Sequence, residues 1–251
     1  MIKCHCCSAD YVPHGILESV YRCSSCAHNF IDYKGDDTLF HSGEHRRGAA
    51  PMRRVSDEFD SQGRVTEKFH KARKRICVSR VGYIEEYITT VQTCLDVGAG
   101  AGTFAHRLER SHPELDIECL ELDPMIVEEC QRLGFHTYNK SFFENKFDKT
   151  YDVVFLWHVL EHVKDAHAFL SKAVTLADKY VILEVPLLQA MNGTGRIRSL
   201  KAPNIGNYDG HAHYFNKQSF IKLVEKIDHL EIIEIREGTQ TPALFSALSV
   251  K

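Results

Sequence analysis

Residues 93–103 read Thr93-Cys94-Leu95-Asp96-Val97-Gly98-Ala99-Gly100-Ala101-Gly102-Thr103. A short apolar strand runs into a turn with three glycines, and residues 103–111 continue as a helix. Glycines in a strand-to-helix turn let a ligand approach the backbone closely. In open α/β sheets, ligands bind at the carboxyl ends of the strands, at the switch point. A nicotinamide fingerprint would be G-x-G-x-x-G. This turn is G-x-G-x-G, with an acid two residues before the first glycine. Glu121 follows 23 residues after Gly98, at the end of the next apolar run, where a carboxylate can accept both ribose hydroxyls.

Outward from this turn, strands and helices alternate. Strands are expected at 116–122, 135–138, 151–157, 180–185, 230–236 and 243–250. Pro124 suits the first turn of a helix that Gly134 closes, and further helices are expected at 166–177 and 218–227. The pattern predicts an α/β fold, with a Rossmann-like, mostly parallel, seven-stranded sheet and helices on both faces. The last two strands have no long helix between them, so one antiparallel edge strand is expected. A small N-terminal zinc ribbon and a helical connector precede this sheet in the reading.

The ribbon rests on cysteine spacing. Of nine cysteines, five fall in the first 26 residues. Cys4-x-x-Cys7 and Cys23-x-x-Cys26 are fifteen residues apart, the spacing of a four-sulfur zinc site. Two such turns supply four anionic sulfurs at tetrahedral corners. A closed site of this kind is structural, and it would supply most of the ribbon's folding free energy. Cys6, His5 and His28 stand close enough in sequence to be alternative ligands. Cys94, Cys119 and Cys130 read as small buried apolar residues.

Between residues 41 and 80, eleven Lys and Arg face five Asp and Glu, although the whole chain carries −3. The run reads either as a solvated helix face or as a surface that attracts phosphate. Residues 57–90 carry apolar groups at spacings that fit one long helix or two shorter ones. The expected domains are a ribbon at 1–35, a basic connector at 36–80 and a cofactor-binding domain at 81–251. Hydrophobic residues at 43% and charged residues at 26% exclude a disordered chain. The longest strictly apolar run, 153–157, is far short of the roughly 20 residues of a membrane span. The first residues lack an apolar signal segment, and the odd cysteine count argues against a secreted disulfide framework; a cytoplasmic protein is expected.

Four stretches carry a resemblance: Leu95 to Gly102, Leu120-Glu121-Leu122-Asp123, Tyr151-Asp152-Val153-Val154 and Val159-Leu160-Glu161-His162-Val163. Over about residues 80–251 the sequence resembles the class I S-adenosylmethionine-dependent methyltransferases. The fourth stretch, and His211-Ala212-His213-Tyr214-Phe215, look like the small-molecule branch. The resemblance implies that Gly98, Ala99 and Gly100 lie against the methionyl part of S-adenosylmethionine, with Asp96 near its amine. It implies Glu121 and Leu122 at the ribose, and Ser141 and Phe142 flanking adenine, where the family often has an acid. It places Trp157 and His158 near the sulfonium.

Methyl transfer is an in-line displacement, and a base helps when the acceptor is a hydroxyl or an acidic C–H. His162 and His213 are the first candidates, followed by His158 and His211, with Glu161 orienting an imidazole or binding substrate. Each histidine also reads as a cap, a packing contact or a surface imidazole. The expected acceptor is a small molecule, such as a sugar, nucleotide-linked sugar or related metabolite, phosphate-bearing ones included. An RNA methyltransferase using the ribbon and basic connector is the second reading, and a non-catalytic cofactor-binding scaffold the third. No membrane partner is expected, and the oligomeric state is left open.

Overall fold

The computed structural model describes residues 2–13, 20–31, 66–187, 211–237 and 243–251. The basic residues from Arg46 to Arg64, and residues 188–210, lie outside the described residues. Three short strands form near the N-terminus: β1 (Tyr11–Pro13), β2 (Val20–Cys23) and β3 (Asn29–Ile31). The basic run leads into α1 (Glu67–Ile84). It is one helix, and Cys77, Arg80, Val81 and Ile84 form its buried side at helical spacing.

The alternation then follows the sequence closely. The order is β4 (Thr93–Val97), α2 (Thr103–Ser111), β5 (Asp116–Leu120), α3 (Pro124–Arg132), β6 (His136–Tyr138) and β7 (Tyr151–Trp157). There follow α4 (Ala166–Leu176), β8 (Ala177–Pro186), β9 (His213–Tyr214), α5 (Lys217–Val224), β10 (Leu230–Glu237) and β11 (Ala243–Val250). Seven strands form one sheet in the order β10-β11-β8-β7-β4-β5-β6. β4 pairs in parallel with β5 on one side and β7 on the other, so the direction of winding reverses at β4. The antiparallel pair β10–β11 closes one edge. β7 is apolar and buried at all but one position, as a strand covered on both faces must be.

Local chemistry sets the helix ends. The Asp123 side chain accepts from the Met125 amide and Pro124 occupies the first turn of α3. Asn216 and Ser219 exchange side-chain and backbone hydrogen bonds in a capping box that starts α5. Gly134, at φ 101°, follows α3 in a backbone conformation that favours glycine.

A second sheet has the order β1-β2-β3-β9. Its fourth strand, His213–Tyr214, comes from the far side of the sequence. By contacts the chain divides into two compact units. One holds residues 1–37, 157–175 and 181–251; the other holds 38–156 and 176–180. Thus the cysteine-rich hairpins share a unit with β9, and α1 shares one with the glycine turn.

Candidate functional site

The glycine turn is built as its sequence demands. Gly98, Gly100 and Gly102 all have positive φ, at 71°, 55° and 68°. The amides of Gly98 and Ala99 both donate to the Leu120 carbonyl, at 2.8 and 3.1 Å, which ties the turn to the end of β5. At Gly100 a Cβ would meet no atom of the described residues within 4 Å. Gly102 is crowded instead, since a Cβ would lie 3.2 Å from Cys130 Sγ.

Glu121 is held by backbone amides. Gly100 N donates to Oε2 at 2.9 Å, and Leu122 N and Asp123 N donate to Oε1 at 2.8 and 3.1 Å. This fixes a carboxylate at the carboxyl end of β5, with one of its roughly four acceptor positions, on Oε2, left open. Asp96 is 1% exposed, and neither carboxylate oxygen has a hydrogen-bond partner among the described residues. Burial pushes its carboxyl up to about 7, with Arg80 opposing and Glu121 adding to the rise. A buried carboxylate without a donor is costly unless a ligand supplies one. An ammonium beside an open glycine cradle fits that need. Ser141 opens a turn, its carbonyl accepting from Glu144 N and Asn145 N, and Phe142 is buried within ring contact of Phe143 and Phe147. Sequence reasoning passed over His70 of α1, whose ring bridges Thr103 Oγ1 at 2.9 Å and Glu129 Oε1 at 3.1 Å, fastening α1 to the helices that follow the turn.

In the other unit, Cys4, Cys7, Cys23 and Cys26 place all four sulfurs within 4.8 Å of one another. The Cys4–Cys26 and Cys7–Cys23 separations are 3.7 and 3.3 Å. A tetrahedral ion with Zn–S bonds of about 2.3 Å would set its sulfurs about 3.8 Å apart. The four thiols therefore fit one zinc ion with small adjustments. Cys6 and His28 form a second close group with Cys4.

The sequence-predicted histidines separate. His213 is fully buried, its ring against those of His5, His28, Phe30 and Phe215. Burial drives its pKa well below the usual imidazole value, with His28 and His5 adding to the drop. It packs the ribbon onto β9, and a sealed ring cannot meet an acceptor. His158, Glu161, His162 and His211 come together instead. His158 has φ 56°, an uncommon backbone state that tends to recur at functional sites. Its Nε2 lies 2.7 Å from Glu184 Oε1, and its Nδ1 lies 3.2 Å from Glu161 Oε1. Glu161 is fully buried, and its carbonyl accepts from the amides of Ala212 and His213 at 2.8 and 3.0 Å. His162 Nε2 is 3.9 Å from Glu161 Oε1, and the His162 and His211 rings meet edge to face with centroids 4.6 Å apart. Burial pushes the Glu161 carboxyl up, but His158, His162 and His211 outweigh it and the net shift is downward. Trp157 is buried against Phe245, with the rings stacked at 6.3 Å. Glu184 escaped the sequence reading, although a lone acid in the apolar run 181–185 was a usable signal.

A glycine turn at a switch point, a donor-starved aspartate and a backbone-clamped glutamate define a nucleotide-cofactor-binding α/β protein. Residues 69–232 match the family described as a methyltransferase domain, and the chain belongs to that family. Solved structures share the fold. Magnesium protoporphyrin IX methyltransferase (ChlM) from Synechocystis PCC 6803, with S-adenosylmethionine (SAM) bound, superposes with a TM-score of 0.57 at 15% identity, covering 86% of this chain and 98% of that one. The mitomycin 7-O-methyltransferase MmcR gives 0.58 at 18% identity, over 85% of this chain and 65% of that one. The plantazolicin methyltransferase BpumL, in complex with S-adenosylhomocysteine (SAH), gives 0.57 at 10% identity, over 86% and 96%. A comparison with curated proteins gives no match. No helix among the described residues is long and apolar enough to cross a membrane.

Proposed function

We propose that this methyltransferase moves the methyl group of S-adenosylmethionine to a small-molecule acceptor, a sugar, a nucleotide-linked sugar or a related metabolite. The observation that carries the reading is Asp96, a buried carboxylate with no donor, at the end of the strand that enters the glycine turn. Asp96 would take the cofactor's ammonium, Gly98, Ala99 and Gly100 its methionyl chain, and Glu121 and Leu122 its ribose. Ser141 and Phe142 would border adenine. The neighbours' names support a small acceptor: a porphyrin for one, mitomycin for another.

The chemistry asked of the protein is alignment and proton removal. The acceptor atom forms a bond to the methyl carbon as the S–CH3 bond breaks, and the sulfonium leaves as a neutral thioether. His158 is the base this geometry favours. Glu184 at its Nε2 and Glu161, 3.2 Å from its Nδ1, would hold the ring in place. Glu161, His162 and His211 would complete the acceptor side. Cys4, Cys7, Cys23 and Cys26 would hold a structural zinc ion; with four sulfurs it has no open position for substrate.

The second reading, RNA, draws on the exposed Lys68, Lys71, Lys74 and Arg75 of α1. Methyl-labelled S-adenosylmethionine, incubated with the protein and a cell extract, separates the readings. Label in low-mass, nuclease-resistant products supports the proposal. Label confined to RNA overturns the acceptor class, and cofactor binding with no label anywhere favours a scaffold.

A further inference from the structure

Glu161 poses a problem that the methyl-transfer account leaves unsolved. Its carboxylate is wholly removed from solvent, and neither oxygen is satisfied by a well-formed hydrogen bond among the described residues, although His158 Nδ1 stands 3.2 Å from Oε1. An ionised carboxylate in such a place needs a cation or a good donor set. What faces it are imidazoles. One carboxylate oxygen and one nitrogen each from His162 and His211 all lie within 4.8 Å of one another.

We infer that Glu161, His162 and His211 form a second metal site, distinct from the cysteines, that takes a divalent transition ion. Two imidazoles and one carboxylate suit Zn²⁺, Mn²⁺, Co²⁺ or Fe²⁺. Bonds of about 2.1 Å would bring the ligand atoms to about 3.0–3.4 Å from one another, so modest side-chain rotation closes the site. The backbone already assembles it. Glu161 and His162 are consecutive in a turn, closed by His162 N donating to the Val159 carbonyl at 2.9 Å. The two amides that follow His211 both donate to the Glu161 carbonyl, so His211 is pinned beside the carboxylate it would share an ion with. The His162 side chain keeps 26% of its exposure and His211 is half-buried. Three protein ligands with a solvent-facing side leave open coordination positions, which is the arrangement of a reactive site; four sulfurs leave none. The two sites also differ in softness, thiolate against nitrogen and oxygen, so one chain can sort two metals.

The existence of the site is independent of methyl transfer, but its role rests on that reading. An ion here would polarise an acceptor hydroxyl. The O–H bond breaks with the proton passing to the His158 imidazole. The new O–CH3 bond forms as the S–CH3 bond breaks, its electron pair staying on sulfur.

The test uses the full chain carrying one zinc per molecule, so that the thiolates are filled. Mn²⁺, which does not compete for thiolates, is titrated in while the free Mn²⁺ signal is followed by electron paramagnetic resonance. One Mn²⁺ should bind per chain. His211→Asn and Glu161→Gln should each weaken it at least tenfold, the lower end of what losing even a supporting group costs a metal site. His211→Asn changes a half-buried side chain and keeps the site readable if Glu161→Gln fails to fold. No uptake at millimolar Mn²⁺, or the same isotherm in wild type and His211→Asn, overturns the site. Calorimetry with SAH on the same samples keeps the two claims apart. Mn²⁺ bound without SAH bound upholds the metal site and sinks its role in methyl transfer, and SAH bound without Mn²⁺ sinks the metal site and leaves the cofactor reading standing.

Discussion

Asp96 is where a single residue says most about the ligand. Its carboxyl is pushed up to about 7, chiefly by burial, while an unfolded chain would ionise it near 3.9. The folded, cofactor-free protein therefore holds a proton that the unfolded chain gives up. That stabilisation is present at low pH and is lost as pH rises from about 4 through about 7. Binding of an ammonium asks for the carboxylate, so proton and cofactor compete. Affinity for S-adenosylmethionine should fall as pH drops from 7 to 5, by up to about tenfold per unit. It should be level above the folded pKa. Calorimetry between pH 5 and 8 checks this, and Asp96→Asn should bind more weakly and lose the slope. A flat wild-type profile would mean that Asp96 does not meet the ammonium. Gly102 gives a second residue-scale expectation. With φ 68° and Cys130 Sγ 3.2 Å from any Cβ, Gly102→Ala should cost about 1–2 kcal/mol or more, seen as a lower urea midpoint.

At the scale of elements, the cysteine hairpins and the acid–imidazole cluster are linked through one short strand. β3 pairs with β9 through Asn29 with Tyr214 and Phe30 with His213, and Ile31 N donates to the Ala212 carbonyl. Asn216 Nδ2 reaches the Cys26 carbonyl at 3.0 Å, and Lys226 Nζ the His5 carbonyl at 3.0 Å. On its other side, the start of β9 is tied to the Glu161 carbonyl. Elemental analysis should find one zinc per chain in the cysteine site. Stripping it with a chelator should speed hydrogen exchange at Ile31, Ala212 and His213, and slow methyl transfer more than it weakens cofactor binding. Metal-free protein with unchanged exchange would show that the sulfurs are not a folding centre. This linkage was not legible in the sequence. β9 is two residues long, carries no periodicity, and its partner lies far back near the N-terminus. The four cysteines were legible because metal-ligand spacing is local, and β4 with its turn was legible for the same reason. His213 misled because sequence shows a histidine near a helix start but not the ring stack that buries it. Glu184 was visible as a lone acid in an apolar run, but its pairing with His158 was not, because the two lie on different strand ends.

For the whole molecule, the −3 net charge conceals two unlike regions. The basic run belongs partly to the interior, since Arg80 is buried within reach of Asp96's charge and His70 fastens α1 to Thr103 and Glu129. What reads in sequence either as a solvated helix face or as a surface that attracts phosphate is thus shared between anchoring the helix and facing solvent. The sheet order follows from the alternation of strands and helices, and the position of the cofactor turn follows from the sheet order. The acceptor does not follow, because acceptor contacts come from loops and from residues far apart in the chain. The measurement that bears most directly on the central claim is calorimetric titration with S-adenosylmethionine of the wild type and Glu121→Ala. The wild type should bind one cofactor per chain. Glu121→Ala should bind at least tenfold more weakly, as expected for losing hydrogen bonds to a charged group of about 1.5–3 kcal/mol. No binding by the wild type, or equal affinity in the two proteins, would contradict the account.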